Sequence, residues 1–144
     1  MEENEMLQKF QSMLDRSGFI RLLSIRLIEL DKDHAKGVMP FDSKYCNPYG
    51  SMHGGCIYAL ADTVTGTLAD TAGCDVTTVE GGMNFLEPVA DTQNVYCIAE
   101  MKKCGRHLIT VEAKIAGDSG RLLGCGLFTF FRMDDTSAKD WQKI

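Results

Sequence analysis

The sequence has few of the residues that mark nucleic-acid binding, membrane insertion or export. It has 15 lysine and arginine residues against 20 aspartate and glutamate residues, and its net charge of −5 leaves no broad basic surface for nucleic acid. No apolar run approaches the roughly 18 residues that a membrane span needs. Residues 1–5 are acidic, whereas a signal peptide begins with basic residues. We therefore expect a cytoplasmic protein without nucleic-acid or membrane partners.

Metal ligands are also scarce. The six cysteines contain no Cys-x-x-Cys pair, and the three histidines, His34, His53 and His107, are scattered along the chain. This pattern is typical of reduced, buried thiols in a cytosolic protein. We expect neither a metal site nor a cofactor.

The 144 residues are about the length of one domain, which we place at 1–144. Apolar residues recur at helical spacing between residues 6 and 14, and Ser17-Gly18 predicts the end of that helix. The N-terminal helix therefore occupies residues 1–18 and the core of the domain about 19–132. Residues 134–144 are a polar tail.

The residue pattern within the core predicts two strands, one long helix and four further strands. The long helix covers 54–72 and has one apolar stripe, formed by Ile57, Leu60, Ala61, Val64 and Leu68. The strands are predicted at 19–30 and 34–39 before the helix, and at 76–86, 92–103, 107–116 and 121–132 after it. Turns are predicted at 103–106 and 118–120. The strand near 123–131 is apolar on both sides, which indicates a central position in the sheet.

This order indicates an α+β fold in which an antiparallel meander curves around the long helix. One helix cannot cover both faces of such a sheet, so we expect a dimer. A second side of the helix is small and mostly uncharged, so that another subunit could approach it closely. That side consists of Tyr58, Asp62, Thr65, Gly66 and Ala69.

The most informative segment is 47–62, where a glycine-containing loop leads into the helix. The N–H groups at a helix start can bind a developing oxyanion, and glycine at position 54 lets the backbone approach a substrate. Asp62 lies inside the helix, where aspartate is unfavourable, and could act on water as a general base or attack as a nucleophile. The alternative is a flexible helix start and an aspartate that only bonds a hydroxyl such as Thr65 or Thr78.

The pattern Asn47-Pro48-x-Gly50-x-x-His53-Gly54-Gly55, followed by Leu60-Ala61-Asp62, resembles the hotdog-fold acyl-CoA thioesterases. It is most similar to their PaaI-like branch, from phenylacetic acid degradation. Weaker matches at 78–80, 84–88 and 103–106 extend the resemblance over about 19–132. It implies a hotdog fold, an antiparallel curved sheet wrapped around one long central helix, plus a short N-terminal helix.

The resemblance also implies roles for individual residues. Asp62 takes the place of the catalytic carboxylate, and the backbone N–H of Gly54 takes the place of the group that polarises the thioester carbonyl. Asn47 and His53 would position substrate and water. Thr78 stands where some members have an assisting serine. In that family the loop and the aspartate of one site come from different subunits.

Two further parts of the chain are assigned to substrate binding by the resemblance. Gly55 is next to the oxyanion donor. Lys103 and Arg106, with Lys102, form the main basic cluster and could bind the phosphates of coenzyme A, for which Gly105 leaves room. The alternative is a solvated hairpin tip whose charges prevent edge-to-edge pairing.

The resemblance therefore predicts a thioesterase that hydrolyses an acyl- or aryl-acyl-CoA to the free acid and coenzyme A. It would act as a homodimer or as a tetramer of two dimers, with active sites at the dimer interface. A non-catalytic acyl-CoA-binding or sensing protein on the same fold is the alternative, although it would not need Asp62. A hotdog hydratase or dehydratase would need a catalytic histidine with an acidic partner and a different loop. The loop at 47–55 fits that activity poorly. The acyl group remains open, as does the choice between base and nucleophile for Asp62.

Overall fold

Two helices, two strands, one long helix and four strands follow each other along residues 2–133, which the computed structural model describes. The helices are α1 (Glu3–Leu14), α2 (Gly18–Leu23) and α3 (Gly54–Asp70). The strands are β1 (Arg26–Leu30), β2 (His34–Pro40), β3 (Val76–Phe85), β4 (Asn94–Cys104), β5 (Leu108–Ala116) and β6 (Leu122–Arg132). The tail predicted from residue 134 lies outside the described residues. No helix within 2–133 is both long and apolar enough to cross a membrane.

The strands form one antiparallel sheet in the order β1-β2-β4-β5-β6-β3, and α3 packs across one face of it. The predicted α+β hotdog architecture is confirmed. The five residues of the predicted apolar stripe of α3 are all buried. Close packing is possible because β2 has a glycine where it meets the helix: a Cβ on Gly37 would lie 2.4 Å from Cγ2 of Val64. Burial of this apolar surface is the main source of the stability of the fold.

The predicted meander is correct for β4, β5 and β6 but wrong for β3. β3 pairs with β6 at the far edge of the sheet, and residues 86–93 carry the chain back to β4 beside β2. Strand patterning predicts where a strand is but not which strand it pairs with. The predicted central position of β6 is confirmed, since it lies between β5 and β3. Its Phe128 and Phe130 are buried on the helix side, whereas Leu127 and Phe131 on the other face are 52% and 40% exposed.

The long strand predicted at 19–30 is also wrong in its first half, which forms α2. Ser17, predicted to end a helix, instead begins one, because its Oγ accepts the N–H of Ile20 at 3.3 Å. Ser24 then ends α2 in the left-handed conformation, with φ at 55°. The alternation of Leu23, Ile25 and Leu27 therefore spans the end of a helix and the beginning of a strand.

The two edges of the sheet differ in how they are protected. β1 is short and irregular in register, and the N–H of its Leu27 bonds the side chain of Gln11 in α1 at 2.7 Å. β3 is ten residues long and, among the described strands, pairs only with β6. Its Val79 and Phe85 are 55% and 53% exposed. An open, long edge with apolar side chains is a surface for pairing with another chain.

The small side of α3 mostly faces the sheet of its own chain. Thr65 and Ala69 are fully buried, and a Cβ on Gly66 would lie 3.3 Å from the ring of Phe130. The prediction that another subunit approaches this side is therefore wrong for Thr65 and Ala69, because the sheet of the same chain already covers them, whereas Gly66 is half-buried. Tyr58 and Asp62, the other two residues of this side, are also half-buried.

Candidate active site

The start of α3 leaves one backbone donor without an acceptor. His53 is the N-cap: its Nδ1 accepts the N–H of Gly55 at 2.8 Å. The carbonyl of His53 accepts the N–H groups of Cys56 and Ile57 at 2.9 and 3.3 Å. Within residues 2–133 no hydrogen bond engages the N–H of Gly54. That N–H, at the positive end of the helix dipole, is therefore available to a ligand.

Gly55 gives this cap its space. A Cβ at position 55 would lie 3.0 Å from Nδ1 of His53, so the imidazole would have to shift by a few tenths of an ångström to accommodate a larger residue. The sequence prediction assigned Gly55 to substrate binding. The structure places it beside the donor, where it supports the conformation of the helix start.

Asn47 holds the loop that precedes the helix. Its Oδ1 accepts the N–H groups of Tyr49 and Ser51 at 2.9 and 3.2 Å, and its Nδ2 donates to Oγ of Ser51 at 3.0 Å. Gly50 completes the turn with φ at +89°, a conformation that glycine adopts without strain. The side chain of Asn47 is thus committed to loop geometry, and the loop in turn fixes the direction of the Gly54 N–H.

A groove of about 300 Å³ lies next to Gly54. Asn47 and Ser51 border it on the polar side, and most of its remaining wall is apolar. The apolar lining consists of Met52, Ile57, Phe85, Leu86, Pro88 and Val89. The ring of Phe85 lies directly over Gly54, 3.4 Å from the position of a Cβ on that residue.

Asp62 and Thr78 form a second polar pair farther along α3. The Oγ1 of Thr78 donates to Oδ1 of Asp62 at 2.8 Å. The hydroxyl of Thr65 donates instead to the carbonyls of Ala61 and Asp62, at 2.7 and 3.3 Å. Of the two hydroxyls considered as partners of the carboxylate, Thr78 is therefore the one that bonds it.

A β-bulge turns Thr78 towards the helix. Gly81 pairs with Phe128 and Thr78 with Phe130, and both phenylalanines are buried on the helix side of the sheet. Residues three apart on a regular strand face opposite sides. The register shift at Val79 inserts one extra residue, so that Thr78 and Gly81 face the same side.

The donor of Gly54 and the carboxylate of Asp62 do not meet within one chain. They are eight residues apart on α3, which corresponds to about 12 Å along the helix axis. The helix runs antiparallel to β3: Gly54 lies against Phe85 near one end, and Asp62 bonds Thr78 near the other. Each chain therefore carries two separate candidate half-sites along the same pair of elements.

The third predicted element is the hairpin between β4 and β5. Its turn needs glycine: the N–H of Gly105 bonds the carbonyl of Leu108 at 2.8 Å, and a Cβ there would lie 2.8 Å from that oxygen. Lys103 and Arg106 are exposed at the tip. Lys102 lies 3.4 Å from a carboxylate oxygen of Glu100, so its charge is already partly neutralised.

The chain matches the thioesterase superfamily over residues 49–123, slightly more than half of its length. The chain belongs to the thioesterase superfamily. One relative is ComA2 of Bacillus subtilis, provisionally named an esterase, which is 31% identical over 109 residues, 72% of this chain and 85% of that protein.

Solved structures agree with this assignment. The E. coli PaaI protein from the phenylacetic acid degradation operon has a TM-score of 0.85 at 19% identity, covering 92% of this chain and 96% of that one. A thioesterase family protein from Silicibacter pomeroyi has a TM-score of 0.81 at 26% identity, covering 89% and 98%. This chain is a hotdog thioesterase, and so a thioester hydrolase.

Two residues of the thioesterase near these half-sites were missed by the sequence prediction. Phe85 was noted only as part of a motif, and nothing local shows that its ring covers Gly54. Arg132 lies at the end of β6, and its Nη1 donates to the carbonyl of Gly105 at 3.1 Å, which adds a cation beneath the hairpin. Only strand pairing brings residues 132 and 105 together, so no local signal could have found this contact.

The prediction of buried thiols holds for only one of the six cysteines. Cys97 is fully buried, and burial raises the pKa of its thiol to about 12, which makes it unreactive. Cys104 is exposed, and the other four are half-buried. All six are free.

Asp70 is the last residue of α3, and its negative charge is unfavourable there. It is not one of the candidate site residues. Burial and the nearby carboxylate of Asp75 raise the pKa of Asp70 to about 7, although a backbone bond from Val76 lowers it in part. A carboxylate at a helix C-terminus also opposes the helix dipole. The pKa of Asp70 is higher in the folded protein than in the unfolded chain, so ionisation of this carboxyl destabilises the fold. The stability that its neutral form contributes is fully present below about pH 4 and is lost as the pH rises to about 7.

We therefore expect Asp70→Asn to stabilise the thioesterase at pH 8 and to leave its stability unchanged at pH 4. A difference of one unit between the folded and unfolded pKa corresponds to about 1.4 kcal/mol of unfolding free energy. After a discount for solvent screening, we expect the free energy of unfolding to rise by roughly 1–3 kcal/mol. Urea unfolding of both proteins across this pH range measures it. The exposed turn residue Asp33, changed to asparagine, controls for loss of one charge. An equal effect of Asp70→Asn at both pH values would contradict the prediction.

Proposed function

We propose that this thioesterase hydrolyses acyl-CoA thioesters to a free acid and coenzyme A. The observation that carries the proposal is the N–H of Gly54, which lacks an acceptor within residues 2–133 and borders an apolar groove at the start of a helix. A thioester carbonyl placed there would accept this hydrogen bond. The bond would strengthen as the oxygen gains negative charge in the transition state.

In the proposed reaction Asp62 acts on the opposite side of the thioester. As a general base, its carboxylate takes a proton while the water oxygen attacks the carbonyl carbon. The tetrahedral intermediate then expels the thiolate of coenzyme A by breaking the C–S bond, and the thiolate takes up a proton. The bond from Thr78 to Oδ1 holds the carboxylate and leaves its second oxygen for the water. Attack by Asp62 itself, through a mixed anhydride, is the other route that this placement supports.

The reaction requires the two half-sites to meet, and pairing of two β3 edges would achieve this. Phe85 and Thr78 mark the ends of β3 at which Gly54 and Asp62 lie. An antiparallel pairing of two β3 strands centred near Gly81 and Gly82 exchanges these ends. It would place the Gly54 of one subunit beside the Asp62 of its partner. We therefore propose a homodimer with two composite sites; a tetramer of two dimers and a cytoplasmic location remain predictions.

The hairpin tip is proposed to bind the phosphates of coenzyme A. The sheet register aligns Leu108 with Phe131 and Phe131 with Thr77, so the tip lies at the Asp62 end of the sheet. The tip and β3 are two strand spacings apart, or about 10 Å. Lys103 and Arg106 would meet the phosphates near the surface while the acyl end reaches the groove.

The test is release of free thiol from a panel of acyl-CoA esters, followed with a thiol reagent. We expect turnover of at least one ester, and inhibition by free coenzyme A through the hairpin. Lys103→Ala combined with Arg106→Ala should raise KM with little effect on kcat, because these residues contact only the coenzyme. Binding of acyl-CoA without thiol release across the panel would instead support the acyl-CoA-binding alternative.

A further inference from the structure

The groove beside Gly54 has a buried floor and an exposed outer wall. Met52, Ile57 and Val89 belong to the buried core and are 3%, 4% and 1% exposed. Phe85 and Leu86, on the other side, are 53% and 51% exposed. Because core side chains are close-packed, only the outer wall can change the size of the groove without disturbing the fold.

The charges around the groove favour a neutral occupant. Among its lining residues the charged one is Glu87, whose carboxylate forms an ion pair with Arg121. No lysine, arginine or histidine lines it within the described residues. A carboxylate at the end of an acyl chain would find no lysine, arginine or histidine among these lining residues to compensate for its lost hydration, and Arg121 is already paired with Glu87.

Phe85 limits the space next to the oxyanion donor. Three atoms of its ring lie within 3.8 Å of the position of a Cβ on Gly54 and are the atoms nearest to that position, so the ring covers this side of Gly54. The volume of about 300 Å³ is at the lower end of the range of small-molecule pockets. An acyl chain whose carbonyl bonds Gly54 therefore meets the phenyl ring within a short distance.

We propose that Phe85 determines the acyl specificity of this site and restricts it to short, uncharged acyl groups. This inference rests on the proposed function. Phe85 acts through shape: its ring packs against the acyl group and blocks extension of the chain past the end of β3. Removing the ring widens the groove towards the β3 edge, where the partner subunit of the proposed dimer pairs, because the buried floor does not collapse into the space.

The experiment compares kcat/KM for butyryl-, hexanoyl-, octanoyl-, dodecanoyl- and hexadecanoyl-CoA, and for succinyl-CoA as a charged short ester. The proteins are wild type, Phe85→Leu and Phe85→Ala. Phe19→Ala is the matched control, since Phe19 is 58% exposed and lies on α2 away from the groove. We expect wild type to prefer the short neutral esters, and Phe85→Ala to raise the ratio of kcat/KM for dodecanoyl- over butyryl-CoA by about tenfold or more.

Phe85→Leu should give an intermediate ratio, and Phe19→Ala the wild-type ratio. Equal loss for all chain lengths in Phe85→Ala, or wild-type preference for long or charged esters, would overturn the inference while the proposed function stands. No hydrolysis of any ester by wild type would overturn the proposed function and this inference with it.

Discussion

Asp62→Asn is expected to lower kcat for thioester hydrolysis by roughly 10²–10⁴-fold, the usual contribution of a positioned base. The amide has nearly the shape of the carboxylate but can neither take a proton from water nor attack the carbonyl. Thr78 can still donate to its oxygen as it does to Oδ1 of Asp62. The variant should therefore fold normally and still bind substrate.

Steady-state thiol release measures the loss, and titration with a thioether analogue of the best ester measures binding. Asp33→Asn, on an exposed turn, is the matched control and should keep wild-type kcat. Turnover close to wild type in Asp62→Asn would remove Asp62 from the mechanism. Equal loss of binding and turnover would indicate a role in holding substrate.

Thr78→Val tests whether the hydroxyl of Thr78 orients the carboxylate of Asp62, because valine has nearly the same shape as threonine but no hydroxyl. It removes the hydroxyl that bonds Asp62 but leaves the carboxylate in place. The bulge at Val79 turns this hydroxyl towards the carboxylate, which it orients. We therefore expect Thr78→Val to lower kcat by less than Asp62→Asn does. The bulge thus links a backbone irregularity in β3 to the direction of a side chain in α3.

The sequence predicted where the candidate site residues lie on the helix more reliably than it predicted what surrounds them. The helix start and Asp62 were predictable because loop, glycines, apolar stripe and carboxylate all lie within one continuous segment. Helical spacing then fixes their separation, whatever the rest of the chain does. The bond between Asp62 and Thr78 was predictable only as one of two hydroxyl partners, since Thr65 lies on the same side of the helix.

Features that depend on strand pairing could not be read from the sequence. The place of β3 beside β6, the ring of Phe85 over Gly54 and the contact of Arg132 with Gly105 each join residues far apart in the chain. Local ambiguity accounts for the other error: Ser17 is equally suited to follow one helix and to cap the next. Tertiary contacts decide between such alternatives.

Gly54→Pro tests the oxyanion donor by removing a single N–H group. We expect it to lower kcat by about 10²–10³-fold, the typical cost of losing one oxyanion-hole donor. Proline suits this position because Gly54 is the first residue of α3, where no helical hydrogen bond uses the N–H. The preceding His53, with φ at −59° and ψ at 134°, already has the extended conformation that a following proline requires.

Gly54→Ala is the matched control, because it adds a Cβ but keeps the N–H. That Cβ would lie 3.4 Å from the ring of Phe85, an ordinary contact, so alanine should retain most of the activity. Thermal unfolding should show that the proline variant is at least as stable as the alanine variant. Similar loss of kcat in both variants would attribute the effect to space instead of the donor.

The two inactive variants together test whether the site is composite. If Gly54 and Asp62 of one site come from different subunits, a heterodimer of Gly54→Pro and Asp62→Asn has one doubly altered site and one intact site. Unfolding the two proteins together and refolding them should then restore about a quarter of wild-type activity, since half of random dimers are heterodimers with one of two sites intact. Refolding each variant alone should restore none. Activity that stays at the level of the parents in a confirmed heterodimer would mean that both residues serve a site within one chain, despite their separation of about 12 Å along α3.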